Sequence, residues 1–544
     1  DPIHASSPGA AALLLAGPVA VSAQPRPAAD SPPRRVTPAG PAWIGSPAEL
    51  RARDAQLLEG RSTAGFLLRS SSTALRPPSA SGRLAVRVLA PSVRVAQNSD
   101  IPLSLNDGAM WAGRGTSLLA RAGVEARLGP LRAVFAPEVA YAANRPFDFI
   151  PVRRPDRSPF ASPWQVGASS IDLPSRFGDR SYARVTPGQS SVAVRVGALD
   201  VGGATENSVW GPGRWSALTL SANAEGFPHA FVRTARPLRT RLGDVEARYL
   251  IGALTPSVFF DSAVTRQYRS FSGAAVTLRP AAARGLTLGL TRAVIATVGD
   301  RSSEALGHTL DALFRWQAPP DTAGGPMAAD QLTGAFGRWV FADDHVEVYG
   351  EWARQTTPRS VGELLAAPQE GAAITLGARA LRPLGRRTTP DRYLRFELEL
   401  TSTEQSIAFR DRPLPAPFYA GRATREGFTQ RGQALGAAVG PGASAQWLAT
   451  DYVTRDGSFG LGLARVRWFN DALYQQVAPN FFRHDVSTLL TARATRRLPL
   501  VDVQGEATWE RRYNYLFQNG IANPGGRRTV DVGNLTFVLG VTPR

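Results

Sequence analysis

The chain has 544 residues, no cysteine, and 62 basic against 44 acidic residues, giving a formal charge of +18. A disulfide framework and a cysteine-ligated metal site are excluded, and with five histidines a metal cluster or serine–histidine triad has few possible members. Every basic residue is arginine, which fits a genome biased toward Arg, Ala, Gly and Pro codons. The excess of positive charge suits partners rich in carboxylate or phosphate, because the guanidinium fork bonds both in a planar, two-donor fashion. No recognition helix, zinc finger or RNA-binding sheet motif is present, so nucleic acid is not an expected partner.

In chain order, the first feature is the apolar run Ala10–Ala23, ending in Val21-Ser22-Ala23, a small-residue cleavage pattern. Residues 1–23 therefore read as the remnant of a secretory signal. The run is too short to span a membrane and Pro18 interrupts it. Residues 24–82 read as a Pro/Ala-rich linker with one short periplasmic helical segment. There Ser46 is a candidate N-cap, Pro47 occupies the first helical position, and Glu49 completes a Ser-x-x-Glu capping box. Leu50, Leu57 and Leu58 share a face, and Gly60 can end the helix. A lone helix of this size needs something larger to dock on.

From residue 83 to 544 the chain is a series of short alternating strands cut by Gly, Pro, Asn and Asp turns. Tyr393–Gln405 shows the pattern: Leu394, Phe396, Leu398 and Leu400 on one face, Arg395, Glu397, Glu399 and Thr401 on the other. Ser117–Arg127 and Leu131–Tyr141 flank a Gly129-Pro130 turn and predict a hairpin. Further strands are predicted at Ser191–Val196, Val245–Ala253, Gly285–Ala296, Thr309–Gln317, His345–Gln355, Gln433–Val439, Ser458–Phe469 and Asn534–Thr542, among others. Aromatic pairs near strand ends (Phe259-Phe260, Trp339 with Phe341, Trp468-Phe469, Phe481-Phe482, Tyr513 with Tyr515) suit interfacial girdles. The expected fold is all-β: one large antiparallel transmembrane β-barrel. Roughly 25 residues per strand and turn gives about 18 strands.

The densest chemistry lies in Ala204–Phe231. Trp210-Gly211-Pro212-Gly213 must turn tightly, since proline fixes φ and the glycines permit unusual angles. Asn207, Trp210, Arg214, Trp215 and Asn223 surround it. Indoles stack on pyranose faces, and amides and guanidinium groups bond hydroxyls and carboxylates, so these five residues are candidates for glycan binding. The same residues suit a loop folded into the barrel as a plug, with Gly211, Pro212 and Gly213 as its structural turn.

This segment resembles the signature of the Wzi-type capsule-assembly proteins of the bacterial outer membrane. The likeness rests on Asn207, then Val209-Trp210-Gly211-Pro212-Gly213, then Leu218-Thr-Leu-Ser-Ala-Asn223-Ala224. Weaker likenesses run in the same order: the helix at 46–60, Asp107–Gly115, Ala136-Pro-Glu138 with Tyr141, Asn144-Arg-Pro-Phe147, and Tyr419–Gly436. Val209 departs from the double tryptophan often found before Gly-Pro-Gly. The resemblance implies an outer-membrane barrel, with a small helical periplasmic part, and a lectin-like role holding capsular or other exopolysaccharide at the cell surface. The Arg-rich composition independently suits an acidic glycan. A monomer in contact with outer-membrane lipid and lipopolysaccharide is expected. With no Gly-x-Ser-x-Gly elbow, His-Glu-x-x-His helix or phosphate loop in the sequence, no cofactor, metal or catalytic residue is expected. An anion-selective porin is the alternative. Asp343-Asp344-His345 with Glu347 has the residue types of acid/base groups at a barrel rim, but adjacent aspartates before a strand more commonly make a solvated turn.

Overall fold

Strand alternation closes this sheet on itself. The strands are β1 (Ala85–Asn98), β2 (Gly115–Leu128), β3 in two pieces (Leu131–Phe135 and Glu138–Ala142), β4 in two pieces (Tyr182–Thr186 and Ser191–Val196), β5 (Leu199–Ala204) and β6 (His229–Thr234). There follow β7 (Gly243–Leu254), β8 (Tyr268–Pro280), β9 (Leu286–Val298), β10 (Asp330–Phe341), β11 (Val346–Arg354) and β12 (Ala372–Pro383). The last are β13 (Arg392–Ser402), β14 (Ser444–Thr454), β15 (Gly457–Trp468), β16 (Asp485–Arg497), β17 (Val501–Tyr513) and β18 (Val532–Pro543). Each pairs antiparallel with its neighbours, and β1 joins β18 through Val93↔Val541, which closes an 18-stranded barrel.

The computed structural model describes residues 43–58, 67–74, 84–164, 170–261, 268–298, 302–315, 327–358, 360–385, 391–405, 416–475, 483–517 and 530–543. The predicted export remnant, residues 1–23, lies outside the described residues, as do the start of the linker and the Phe481-Phe482 pair.

The two faces of the wall are inverted relative to a water-soluble protein. Phe396, Leu398 and Leu400 are about 40% exposed, whereas Arg395, Glu397, Glu399 and Thr401 are buried inside. Leu448, Leu461, Leu463, Leu490, Leu535, Phe537 and Leu539 continue the exposed apolar band. A soluble protein avoids a contiguous surface of this kind, and a lipid-facing wall requires it. Trp339 and Phe341 stack on the outer face with centroids 5.4 Å apart, and Tyr513 also faces out. Phe260, Trp468 and Tyr515 are buried instead and belong to no girdle.

Where proline interrupts alternation, the wall bends. At Ala136-Pro137 the third strand breaks; Ser190 Oγ accepts from the Ala136 N–H and Ala136 O accepts from Gln189 N. Pro91 sits within the register shift between Leu89 and Ser92 of β1. Tyr182–Thr186, Leu199–Ala204 and His229–Thr234 are strands that periodicity alone misses, being short and, at Gly202-Gly203, lacking side chains. Two expectations fail. Thr309–Gln317 is not a strand: Asp311–Phe314 is helical, and Leu310, Leu313 and Phe314 have helical spacing. Gln433–Val439 contributes only Gln433–Ala434, paired with Thr429–Gln430; its Leu435, Ala437 and Val439 pack inside the barrel.

Connections at one end are short, at 129–130, 197–198, 455–456 and 498–500; those at the other end are long, at 143–181, 299–329 and 403–443. The interior differs between the ends. Toward the long loops it is apolar: Trp210, Leu218, Leu220, Phe271, Phe418, Tyr419 and Phe428 form one buried cluster. Toward the short turns it is ionic, and a helix enters it. This helix, α1 (Pro47–Leu58), is capped by Ser46 Oγ, which accepts from Glu49 N at 3.2 Å, while Glu49 accepts from Gly45 N. It docks through both apolar and charged side chains: Leu57 packs with Val340, Leu381, Tyr393 and Val453, and Leu58 lies against them. Arg53, Asp54 and Gln56 are buried, and Leu50 is only half-buried.

Candidate functional site

The connection from β5 to β6 turns back into the barrel. Ser208–Trp210 pairs with Leu68–Ser70, a short strand that follows α1, and Trp210 N donates to Leu220 O at 3.0 Å. Gly211 then adopts φ +110°, a region closed to ordinary side chains, and a Cβ there would collide with the Glu351 carboxylate. The chain reverses at Pro212-Gly213.

Two wall carboxylates hold the reversal. Glu351 of β11 accepts from Gly213 N at 2.6 Å and Leu218 N at 2.8 Å. Glu399 of β13 accepts from Arg214 N, Trp215 N and Ser216 N at 2.7, 3.0 and 2.8 Å, and from the Tyr349 hydroxyl at 2.7 Å. Buried N–H groups need acceptors, and a loop with no sheet partner obtains them here from side chains. Arg53 of α1 completes the clasp by donating to Pro212 O at 3.0 Å.

Below the turn lies a continuous ionic lattice. Arg53 and Arg338 bond Glu347; Arg379 bonds Glu347, Glu397 and Asp54; Arg395 bonds Asp54 and Asp451; Arg493 bonds Asp451. Arg214 pairs with Glu397 and lies 4.6 Å over the Trp215 ring. Burial alone would raise the Asp54 carboxyl, but Arg395 and Arg379 outweigh it and hold the group below the ordinary carboxylate value. Such a lattice registers α1 against β10–β13, through Gln56 with Arg338, Arg53 with Glu347, and Asp54 with Arg379 and Arg395. Each pair forfeits hydration, so geometry rather than net energy is its main product.

The five candidate residues are brought together, in two kinds of surroundings. Trp210 is 0% exposed and packs in the apolar cluster. Asn207 bonds Ala224 O and Gln189, and Asn223 bonds Ala434 O, Asn106 N and Ser221, so both amides are engaged within the protein. Arg214 and Trp215 retain partial exposure inside the barrel, and Trp215 stacks on Trp447 with centroids 5.7 Å apart. Glu351, Glu399 and Trp447 are the participants that sequence reasoning missed. Their only signal was position on the polar face of an alternating strand. Nδ1 of His345 bonds Leu57 O at 2.8 Å, anchoring the end of α1, and Glu347 lies in the ionic lattice. Among the described residues, no group of three His, Cys, Asp or Glu is placed to hold a metal ion.

The family model of the capsule assembly protein Wzi matches residues 93–523. The chain belongs to the Wzi capsule-assembly family. It is an outer-membrane β-barrel, so its short turns face the periplasm and its long loops the exterior. Among solved structures, Wzi of Escherichia coli, described as an outer membrane protein involved in group 1 capsule assembly and a carbohydrate-binding β-barrel, shares 12% identity. The alignment covers 83% of each chain with a TM-score of 0.51. Looser likenesses are OccAB3 of Acinetobacter baumannii (9% identity, 84% of this chain and 98% of that one, TM-score 0.38) and OccK7 of Pseudomonas aeruginosa (10%, 84% and 99%, 0.37). No curated protein matches the chain.

Proposed function

We propose that this barrel is a non-enzymatic, lectin-like anchor that retains acidic exopolysaccharide at the outer surface, acting as a monomer. Beyond family membership, the observation that carries the reading is an arginine cluster on the exterior loops. Arg153, Arg154 and Arg425 are exposed there, and Arg157 lies beneath them, 4.4 Å over the Phe260 ring. Asp156 and Asp261 neutralise the cluster in part and leave it cationic. A guanidinium set at the mouth of the barrel suits the carboxylates of uronic or other acidic sugars. Each contact is weak, and a polymer with many repeats multiplies them.

The Trp210 turn serves this function as the plug that shapes the mouth. Glycan contact falls to the exterior arginines, and within the barrel to Arg214 and Trp215, which alone among the five candidates keep partial exposure. The channel alternative finds less support, because the plug turn, α1 and the loop 416–443 all occupy the lumen.

The test is retention of the source organism's polysaccharide on washed cells carrying wild-type or Arg154→Glu/Arg425→Glu protein at equal surface levels. Retention falls about tenfold in the double variant. Equal retention would remove the exterior cluster from the account.

A further inference from the structure

The connection between β9 and β10 does not rise freely from the rim. Residues 309–315 fold back over the outer face of β7–β9. On that face of β9, Leu288 and Leu290 are exposed as lipid-facing residues should be, yet Val294 and Ala296, which continue the same alternation, are 1% exposed. Ala312 packs over them, beside Tyr249 and Ala274.

The segment also covers polar groups that would otherwise face hydrocarbon. Tyr249, Ala274 and Arg292 lie opposite one another across three strands, and Ser272 is two residues before Ala274. The Tyr249 hydroxyl donates to Thr309 O at 2.5 Å. Ser272 Oγ donates to Thr309 O at 3.2 Å and accepts from Ala312 N at 3.0 Å. Arg292 donates to the carbonyls of Ala312 and Arg315. The segment's own charges pair with each other: Asp311 is 2.8 Å from both His308 Nδ1 and Arg315 Nε. Its remaining large side chains point away from the barrel, with Leu306 71%, Leu310 50%, Leu313 49% and Phe314 76% exposed. Polar groups turned inward and bonded, with leucine and phenylalanine turned outward, is the arrangement of a surface that replaces part of the lipid-facing wall.

We infer that residues 306–314 lie in the outer leaflet of the membrane, with Leu306, Leu310, Leu313 and Phe314 among its acyl chains. The occupant follows from continuity: the patch prolongs the apolar band of Leu288, Leu290 and Val276 toward the exterior end of the same strands. The segment is thus a lipid-embedded flap that fixes the depth of this side of the barrel. A surface loop of equal length would carry polar residues at those four positions.

The chain contains no cysteine, so single labels are unambiguous. Leu310→Cys and Phe314→Cys proteins, each carrying an NBD fluorophore, are folded into vesicles of phosphatidylcholine with brominated acyl chains. Leu290→Cys serves as the reference in lipid and Asp100→Cys, on an exposed loop, as the reference in water. Labels at 310 and 314 are quenched by bromolipid to the same extent as the label at 290, and by aqueous iodide about threefold less than the label at 100. Using two positions guards against local perturbation by one label, and heat-modifiable gel mobility verifies folding of each protein. Iodide quenching equal to that at 100, with no bromolipid effect, would overturn the inference. That result includes the case in which this face awaits a protein partner.

Discussion

Glu399 shows how a single side chain sets the course of the plug. It is 0% exposed and accepts three successive backbone N–H groups, from Arg214 to Ser216. Glu399→Ala leaves the buried Ser216 N–H and the part-buried Arg214 and Trp215 N–H groups without an acceptor, at about 1–3 kcal/mol for the buried one. The expected outcome is a folded barrel with a loosened turn: proteolytic cleavage within 205–228 becomes detectable, and current through planar bilayers rises. A variant as resistant and as silent as wild type would show that Glu351 and Arg53 suffice. The sequence made the Trp210-Gly211-Pro212-Gly213 turn legible because proline and glycine restrict the backbone locally. It hid what holds that turn, because Glu351 and Glu399 lie far along the chain and read only as polar positions in alternating strands. It also left Trp210, Asn207 and Asn223 open to two readings, since stacking on a sugar and packing in a core need the same residue types.

At the level of elements, α1 is a stopper held by charge and by apolar packing. Its capping box was legible from Ser46 and Glu49, and so was part of its docking face, but the ionic part was not. Of the three leucines sharing a face, Leu57 and Leu58 pack on Val340, Leu381, Tyr393 and Val453. Arg53 and Asp54 make the ionic contacts, because the wall they meet is the polar face of a barrel. The Asp54 carboxyl is held below its ordinary value near 3.8 in the folded protein. A group lowered on folding stabilises fully above its unfolded value and loses that contribution as pH falls through its folded value. The contribution of Asp54 to docking of α1 is therefore fully present from neutrality down to about pH 4 and is lost only in stronger acid. Asp54→Asn, which leaves Arg379 and Arg395 short of a counter-charge, costs about 3–5 kcal/mol and frees the helix at neutral pH. Hydrogen exchange of residues 47–58 reads both effects. Slow exchange in the variant at pH 7 would mean that His345 and Leu57 hold the helix without the charge. The strand set was largely legible because outward Leu and Phe against inward Arg and Glu impose a period of two. It failed at Thr309–Gln317, where lipid-facing residues sit on a helix instead.

For the whole molecule, one inverted wall has two storeys inside it, an ionic one facing the periplasm and an apolar one beneath the exterior loops. Because the plug turn, α1 and the loop 416–443 all enter the lumen, wild-type protein in planar bilayers carries at most a small fraction of the current of an open barrel of this strand number. Steady anion-selective conductance would favour a transport role. The exterior loops, with their exposed arginines, are the surface left for a polymer to meet. The most direct test is binding of the source organism's acidic exopolysaccharide to detergent-folded wild-type protein at low and high salt. Saturable binding that weakens as salt screens the guanidinium groups is the predicted result; a folded barrel that binds no polysaccharide at either salt would contradict the account.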